Sequence, residues 1–142
     1  MKLKRKVLAY ITKGEKSDRQ ILVFEHKGNP EAGLQVPGGT IEKDELLLDA
    51  LYREIEEETG IYRDDLILKG KVNKTNHFPE NRSIVYERNI FHLEFIGMEA
   101  EGWEHRVRGG GEDEGMTFCH RWVKIDKLPE LAANQDQDID FI

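Results

Sequence analysis

Residues 38–61, GGTIEKDELLLDALYREIEEETGI, constrain this chain more than any other stretch. Leu47, Leu48, Leu51 and Ile55 recur at helical spacing, and Gly60 supplies a stop signal. The pattern predicts a helix over residues 44–59, with Asp44 as the N-cap candidate. The same stretch holds Glu42, Glu45, Glu54, Glu56, Glu57 and Glu58, against Lys43 and Arg53. Such crowding is either a solvated acidic face or a site that needs carboxylates.

Projection onto a helix separates the two readings. With Glu54 set to zero and about 100° per residue, Leu47, Leu51, Ile55 and Leu48 fall near roughly 20°, 60°, 100° and 120°. Glu58 falls near about 40°, inside that apolar arc, while Glu57 lies near about −60° and Glu56 near about 200°. Glu56 is therefore read as solvated. Glu58 must face the core, where a carboxylate needs a cation or a metal. Glu54, Glu57 and Glu58 stand at i, i+3 and i+4, so their side chains meet on one surface. Their mutual repulsion favours a divalent cation, and hard oxygen donors suit Mg²⁺ or Mn²⁺.

The rest of the chain reads as strands and loops. Strands are predicted at 7–12, 21–26, 34–36, 66–72, 83–96 and 116–125, with a hairpin between the first two and a turn at Gly38-Gly39. Residues 83–96 are apolar on both parities, which predicts a central strand covered on both faces. A short helix is expected at 126–133. The tail, 134–140, is expected to fray or to dock only through Phe141 and Ile142. Residues 109–115, GGGEDEG, read as a flexible loop. These elements make one domain over residues 1–142, of α/β or α+β class with a mixed sheet.

Composition narrows the partners. The net charge of −7, with 35% charged and 38% hydrophobic residues, describes a globular chain without an extended nucleic-acid surface. A small phosphorylated ligand held through divalent metal fits the same charge. The single cysteine, Cys119, forms no intrachain disulfide and reads as a small residue in a strand. The apolar run at 7–11 is too short for a signal-peptide core, and no stretch approaches membrane-spanning length. A cytoplasmic location is expected, with no membrane partner.

The glutamates also fall in a recognisable order. Gly39 is followed by five residues and Glu45, seven more lead to Arg53-Glu54-Ile55, and Glu56, Glu57-Glu58, Thr59, Gly60 and Ile61 follow. Residues 39–61 resemble the Nudix box at every fixed position, and Val36-Pro37-Gly38 resembles the usual lead into it. The resemblance, to MutT-like Nudix hydrolases, implies an α/β/α sandwich around a central mixed β-sheet, with the box as a loop–helix–loop. It implies Mg²⁺-dependent (or Mn²⁺-dependent) hydrolysis of a pyrophosphate bond in a nucleoside diphosphate linked to another moiety. Nucleoside triphosphates, nucleotide sugars and dinucleoside polyphosphates are of that type. It implies metal ligation by Glu54, Glu57, Glu58 and the Gly38 carbonyl, with Arg53 and Glu45 paired to orient the ligands. The base is Glu57 or Glu58, or comes from Glu112, Asp113 or Glu114 in the glycine-rich loop.

Substrate contacts are less legible. Arg5, His26 and Lys27 are phosphate candidates that read more readily as ordinary surface charges. Phe78 and Arg82 sit in the loop 76–82, whose aromatic, cationic and amide groups suit a base. Trp103, His105 and Trp122 offer further aromatic surface. The Pro or Tyr that marks family subclasses for ADP-ribose or dinucleoside polyphosphates has no clear match near residues 75–78, and Pro79 comes late. A homodimer is a family-level expectation. The resemblance also leaves room for a non-catalytic module that senses a nucleotide, although such modules tend to lose box glutamates and none is missing here.

Overall fold

The computed structural model describes residues 1–98 and 101–142. Seven strands form one mixed sheet: β1 (Lys2–Lys13), β2 (Gln20–His26), β3 (Gly38–Thr40), β4 (Leu66–His77), β5 (Ile84–Phe95), β6 (Gly102–Arg106) and β7 (Thr117–Lys124). One α-helix, α1 (Leu47–Thr59), packs on the sheet. The strand order is β4-β5-β1-β2-β7-β6, with β3 paired to β1 off this path. β1 and β5 run parallel from Lys2↔Ile84 to Thr12↔Glu94, and the other pairings are antiparallel.

Alternation along the strands builds two cores. Val7, Ala9 and Ile11 of β1 join Phe91, Leu93 and Phe95 of β5 and meet Ala50, Leu51 and Ile55 of α1. Leu8, Tyr10 and Ile90 point the other way and meet Val36 and Leu131, with Leu128, Ile139 and Ile142 packed around them. The prediction that 83–96 is covered on both faces therefore holds, because period-2 alternation sends apolar residues both ways.

The site depends on how β1 shares its edge. β1 and β2 pair only at Thr12↔Ile21 and Lys13↔Gln20 before diverging. The N-terminal half of that edge would be left with open backbone groups, and β3 fills it through Lys6↔Thr40, Val7↔Gly39 and Leu8↔Gly38. The expected turn at Gly38-Gly39 is thus a strand. The expected strand at 34–36 is a single bridge, Phe24↔Gln35.

Other expectations are corrected. The helix starts at Leu47, not Asp44. Asp44 has a left-handed φ of 64° and lies in the preceding turn, so it caps nothing. Arg53 and the Glu42 amide both bond Glu45 and draw that turn aside. Residues 126–133 form no α-helix; short 3-10 turns at Ile125–Lys127 and Ala132–Asn134 flank Pro129, which cannot donate to a helical ladder. The tail is held by Gln135 and Asp138, which are buried, whereas Phe141 is exposed. β6 was not expected, since its alternation is short and polar. No helix is long and apolar enough to cross a membrane among the described residues.

Candidate active site

Helix α1 is held at its C-terminus by side chains from β6 and β7. The last carbonyls of a helix have no intrahelical donor. Here Trp103 Nε1 donates to Thr59 O at 3.0 Å, and the Arg108 amide donates to Glu57 O at 3.2 Å. His105 Nε2 lies 3.1 Å from Glu57 O, and His120 Nε2 lies 2.8 Å from Glu58 O. Burial pulls the His120 pKa down to about 4, so the ring is neutral. A neutral imidazole with Nε2–H facing Glu58 O leaves Nδ1 as the buried atom without a partner. Gly60, at φ 80°, ends the helix and bonds back to Glu56 O. Trp103 and His105, read from sequence as aromatic surface, thus serve as caps.

This anchoring fixes the glutamates. Glu58 is 4% exposed and accepts from the Gly38 amide at 3.0 Å. Glu54 is 9% exposed at the edge of the apolar arc, and Glu56 is exposed. Burial pushes the Glu54 carboxyl up to about 7 and the Glu58 carboxyl well above its ordinary range. A Cβ on Gly39 would displace the Glu54 carboxylate, and one on Gly38 would overlap the Val7 carbonyl oxygen of β1.

Arg53 organises the remaining carboxylates. Its Nε and Nη2 reach Glu45 Oε2 at 2.6 Å and Oε1 at 2.9 Å, a bidentate pair, and Nη2 also donates to Thr40 O at 3.1 Å. Nη1 reaches Glu54 Oε1 at 2.9 Å and Glu57 Oε2 at 3.2 Å. The Arg53 guanidinium holds the Glu45 carboxyl below its ordinary range. In return, Glu45 holds the guanidinium more firmly protonated.

A cavity of about 310 Å³ brings Glu54, Glu57 and Glu58 together with Asp113, Lys6 and the Gly38–Gly39 backbone. Lys4 and Glu112 line it too and form an ion pair at 3.7 Å. Glu114 faces a separate cavity beside His105 and Arg106. Of the three loop carboxylates, Asp113 is the half-buried one, while Glu112 and Glu114 are exposed. Lys4 and Lys6 escaped the sequence reading, although their same-parity spacing in KLKRK marks one face of β1.

The donor set is all oxygen and suits a hard divalent cation. Among the described residues, however, no three His, Cys, Asp or Glu side chains are arranged to hold a metal as they stand. The bonds explain why: Arg53 Nη1 occupies Glu54 and Glu57, and the Gly38 amide occupies Glu58. The residues fit a divalent cation in chemistry; for Glu54 and Glu57 to turn to it, Arg53 would have to give up its bonds to them while keeping Glu45.

The weaker substrate candidates do not line this cavity. Arg5 pairs with Glu87 at 3.1 Å, and Lys27 pairs with Glu104 at 3.0 Å. His26 contacts Gln35, and its ring lies tilted against Phe118. Phe78 is exposed at the end of β4, and Arg82 donates to Tyr86 Oη at 2.9 Å. Cys119 is half-buried in β7, as its composition suggested.

Comparison with known proteins agrees with the box. A family model described as NUDIX domain matches residues 2–141. The ADP-ribose pyrophosphatase of Methanocaldococcus jannaschii is 29% identical over 123 residues, which is 86% of this chain and 64% of that protein. The chain thus spans just under two thirds of that relative's length. The RNA pyrophosphohydrolase of Bartonella tribocorum is 28% identical over 138 residues, covering 80% of this chain and 79% of that one. Among solved structures, the MutT NUDIX hydrolase from Burkholderia pseudomallei superposes with a TM-score of 0.70 at 20% identity, over 100% of this chain and 99% of that one. That likeness is one of fold.

Proposed function

The chain belongs to the NUDIX family, and from that premise we propose that it hydrolyses a pyrophosphate bond in a nucleoside diphosphate joined to a second moiety, with Mg²⁺ or Mn²⁺ as cofactor. One observation carries the reading: Glu54, Glu57, Glu58 and Asp113 face one cavity beside the Gly38–Gly39 backbone. Two of those carboxylates are buried at a cost that a solvated acidic face would not bear.

Glu54, Glu57, Glu58 and the Gly38 carbonyl would hold the cation. When bound, a divalent cation supplies charge neutralisation on phosphate and polarisation of water. The chain's own residues do the rest. Arg53 gathers Glu54 and Glu57 side by side, and its bidentate hold on Glu45 would keep it in place when a cation takes those two carboxylates over. Lys6, half-buried on β1, lies at the cavity wall where a phosphate oxygen would sit. Asp113, the half-buried carboxylate of the glycine-rich loop on the cavity wall, would take a proton from the attacking water. The loop's glycines let it close over the reacting groups and exclude bulk solvent. The relatives' names make ADP-ribose and RNA sensible first substrates to assay, beside nucleoside triphosphates and nucleotide sugars.

The test is a screen of nucleoside diphosphate derivatives with Mg²⁺ or Mn²⁺, following released products. Glu57→Gln and Glu58→Gln should each lower kcat/KM by about a hundredfold or more while circular dichroism stays native. Full activity in either variant would remove the metal-ligand assignment. Nucleotide binding without turnover of any substrate would favour a sensor module instead.

A further inference from the structure

A second cavity, of about 230 Å³, adjoins the first. The two share Lys6, Gly38, Gly39, Glu58 and Asp113, so a ligand can pass from one to the other beside the glycine backbone. Phe24, Tyr86 and Arg88 line only the second. Arg88 is 7% exposed. Among the described residues it forms no ion pair. Its Nη1 donates to Ala133 O at 2.7 Å. Asp138, buried on the same side of the sheet, accepts from Asn73 instead. Gln35 and Gln135, also on the cavity wall, bond each other, His26 and the Val36 amide.

A buried guanidinium without a counter-ion is a net liability to the fold. Its fork of N–H groups matches the paired oxygens of a phosphate or carboxylate. The backbone it grips is strained as well: Ala133 and Asn134, at φ 53° and 59°, are successive left-handed residues without glycine. Lys6 adds a second cation, its Nζ 5.0 Å from the Tyr86 ring centre, where the two cavities meet.

We propose that the second cavity is a subsite for an anionic group, a phosphate or carboxylate carried on the substrate beyond the scissile pyrophosphate, with Arg88 as its receiving residue. The substrate orientation rests on the proposed hydrolase reading, but the anion site itself can be read without catalysis. In metal-free protein inorganic phosphate probes the site without turnover, and its dependence on Arg88 separates it from binding at Lys4, Arg53 and Arg108 of the first cavity. At constant ionic strength, phosphate should raise the melting temperature of the wild type and leave Arg88→Gln unmoved. Arg88→Lys, which keeps the charge and loses the fork, should respond weakly. Without phosphate, Arg88→Gln should melt no lower than the wild type, because it removes an unpaired charge and keeps a donor for Ala133.

Turnover supplies the other arm. For whichever nucleoside diphosphate derivative is hydrolysed, a counterpart bearing one more phosphate or carboxylate on the distal moiety should show at least about tenfold higher kcat/KM. Arg88→Gln should bring that ratio close to one. An equal phosphate response in wild type and Arg88→Gln, or no response in either, overturns the subsite. Absence of all turnover alongside an Arg88-dependent phosphate response would overturn the hydrolase reading and leave the subsite standing.

Discussion

Glu54 and Glu58 are acids held where water cannot solvate them, and that has a pH signature. A carboxyl whose pKa rises on folding stabilises the native state in its protonated form. For Glu54 the contribution is present below about 4.5, the ordinary value, and is lost as pH rises through about 7. His120 works in the opposite direction: its stabilisation is present above about 6.5 and is lost as pH falls through about 4. The two overlap, so a variant must separate them. In the presence of a chelator, the melting temperature of the wild type relative to Glu54→Gln should fall steadily between pH 4.5 and 7. A flat difference would show that Glu54 is not held protonated. Glu45 belongs to the same scale. Glu45→Gln leaves Arg53 with a weaker acceptor and frees it to compete for Glu54 and Glu57. It should weaken Mg²⁺ activation by about 10–100-fold, with kcat largely recovered at saturating metal. A kcat loss that excess metal does not restore would place Glu45 in the chemistry itself.

At the scale of elements, α1 is a short helix whose useful end is its last turn. Trp103, His105 and His120 hold that turn from outside. Trp103→Phe removes the donor to Thr59 O and should cost about 1–2 kcal/mol of stability, read by denaturant unfolding. It should also reduce metal affinity, because Glu57 and Glu58 lie in the turn released. The helix and its buried Glu58 were legible in the sequence because a 3.6-residue period and an acid inside the apolar arc are local signals. The Glu45–Arg53 pair was legible only through the family resemblance, because Glu45 lies in the turn before the helix, where helical spacing does not apply. β3 was not, since two glycines carry no strand propensity and pair only because β1 and β2 part company. β6 was missed because its alternation is short and polar, and the tail because its partners are distant in the chain. Gln135 is buried by Tyr10 and Val36, which lie about a hundred residues or more away in the chain, and no window of sequence displays that. The role of Arg88 was equally invisible: a charged residue in a strand becomes informative only once its neighbours fail to pair with it.

At the scale of the molecule, the sheet has a parallel centre. β1 and β5 stay in register from Lys2↔Ile84 to Thr12↔Glu94, and about half of the sequence lies between them. Contacts of that separation close a long loop before any hydrogen bond rewards it, and folding rates fall accordingly. On a ribosome, β1 must wait for residues 84–95 before its central neighbour exists. The glutamate helix can curl earlier, but β3 can be clamped only against a β1 already flanked. Assembly order then follows from topology: sheet centre first, catalytic arrangement last. Stopped-flow refolding should show tertiary fluorescence from Trp122 recovering before Mg²⁺-dependent protection of α1 from hydrogen exchange. Simultaneous recovery would mean that the helix and the sheet centre form in one cooperative step.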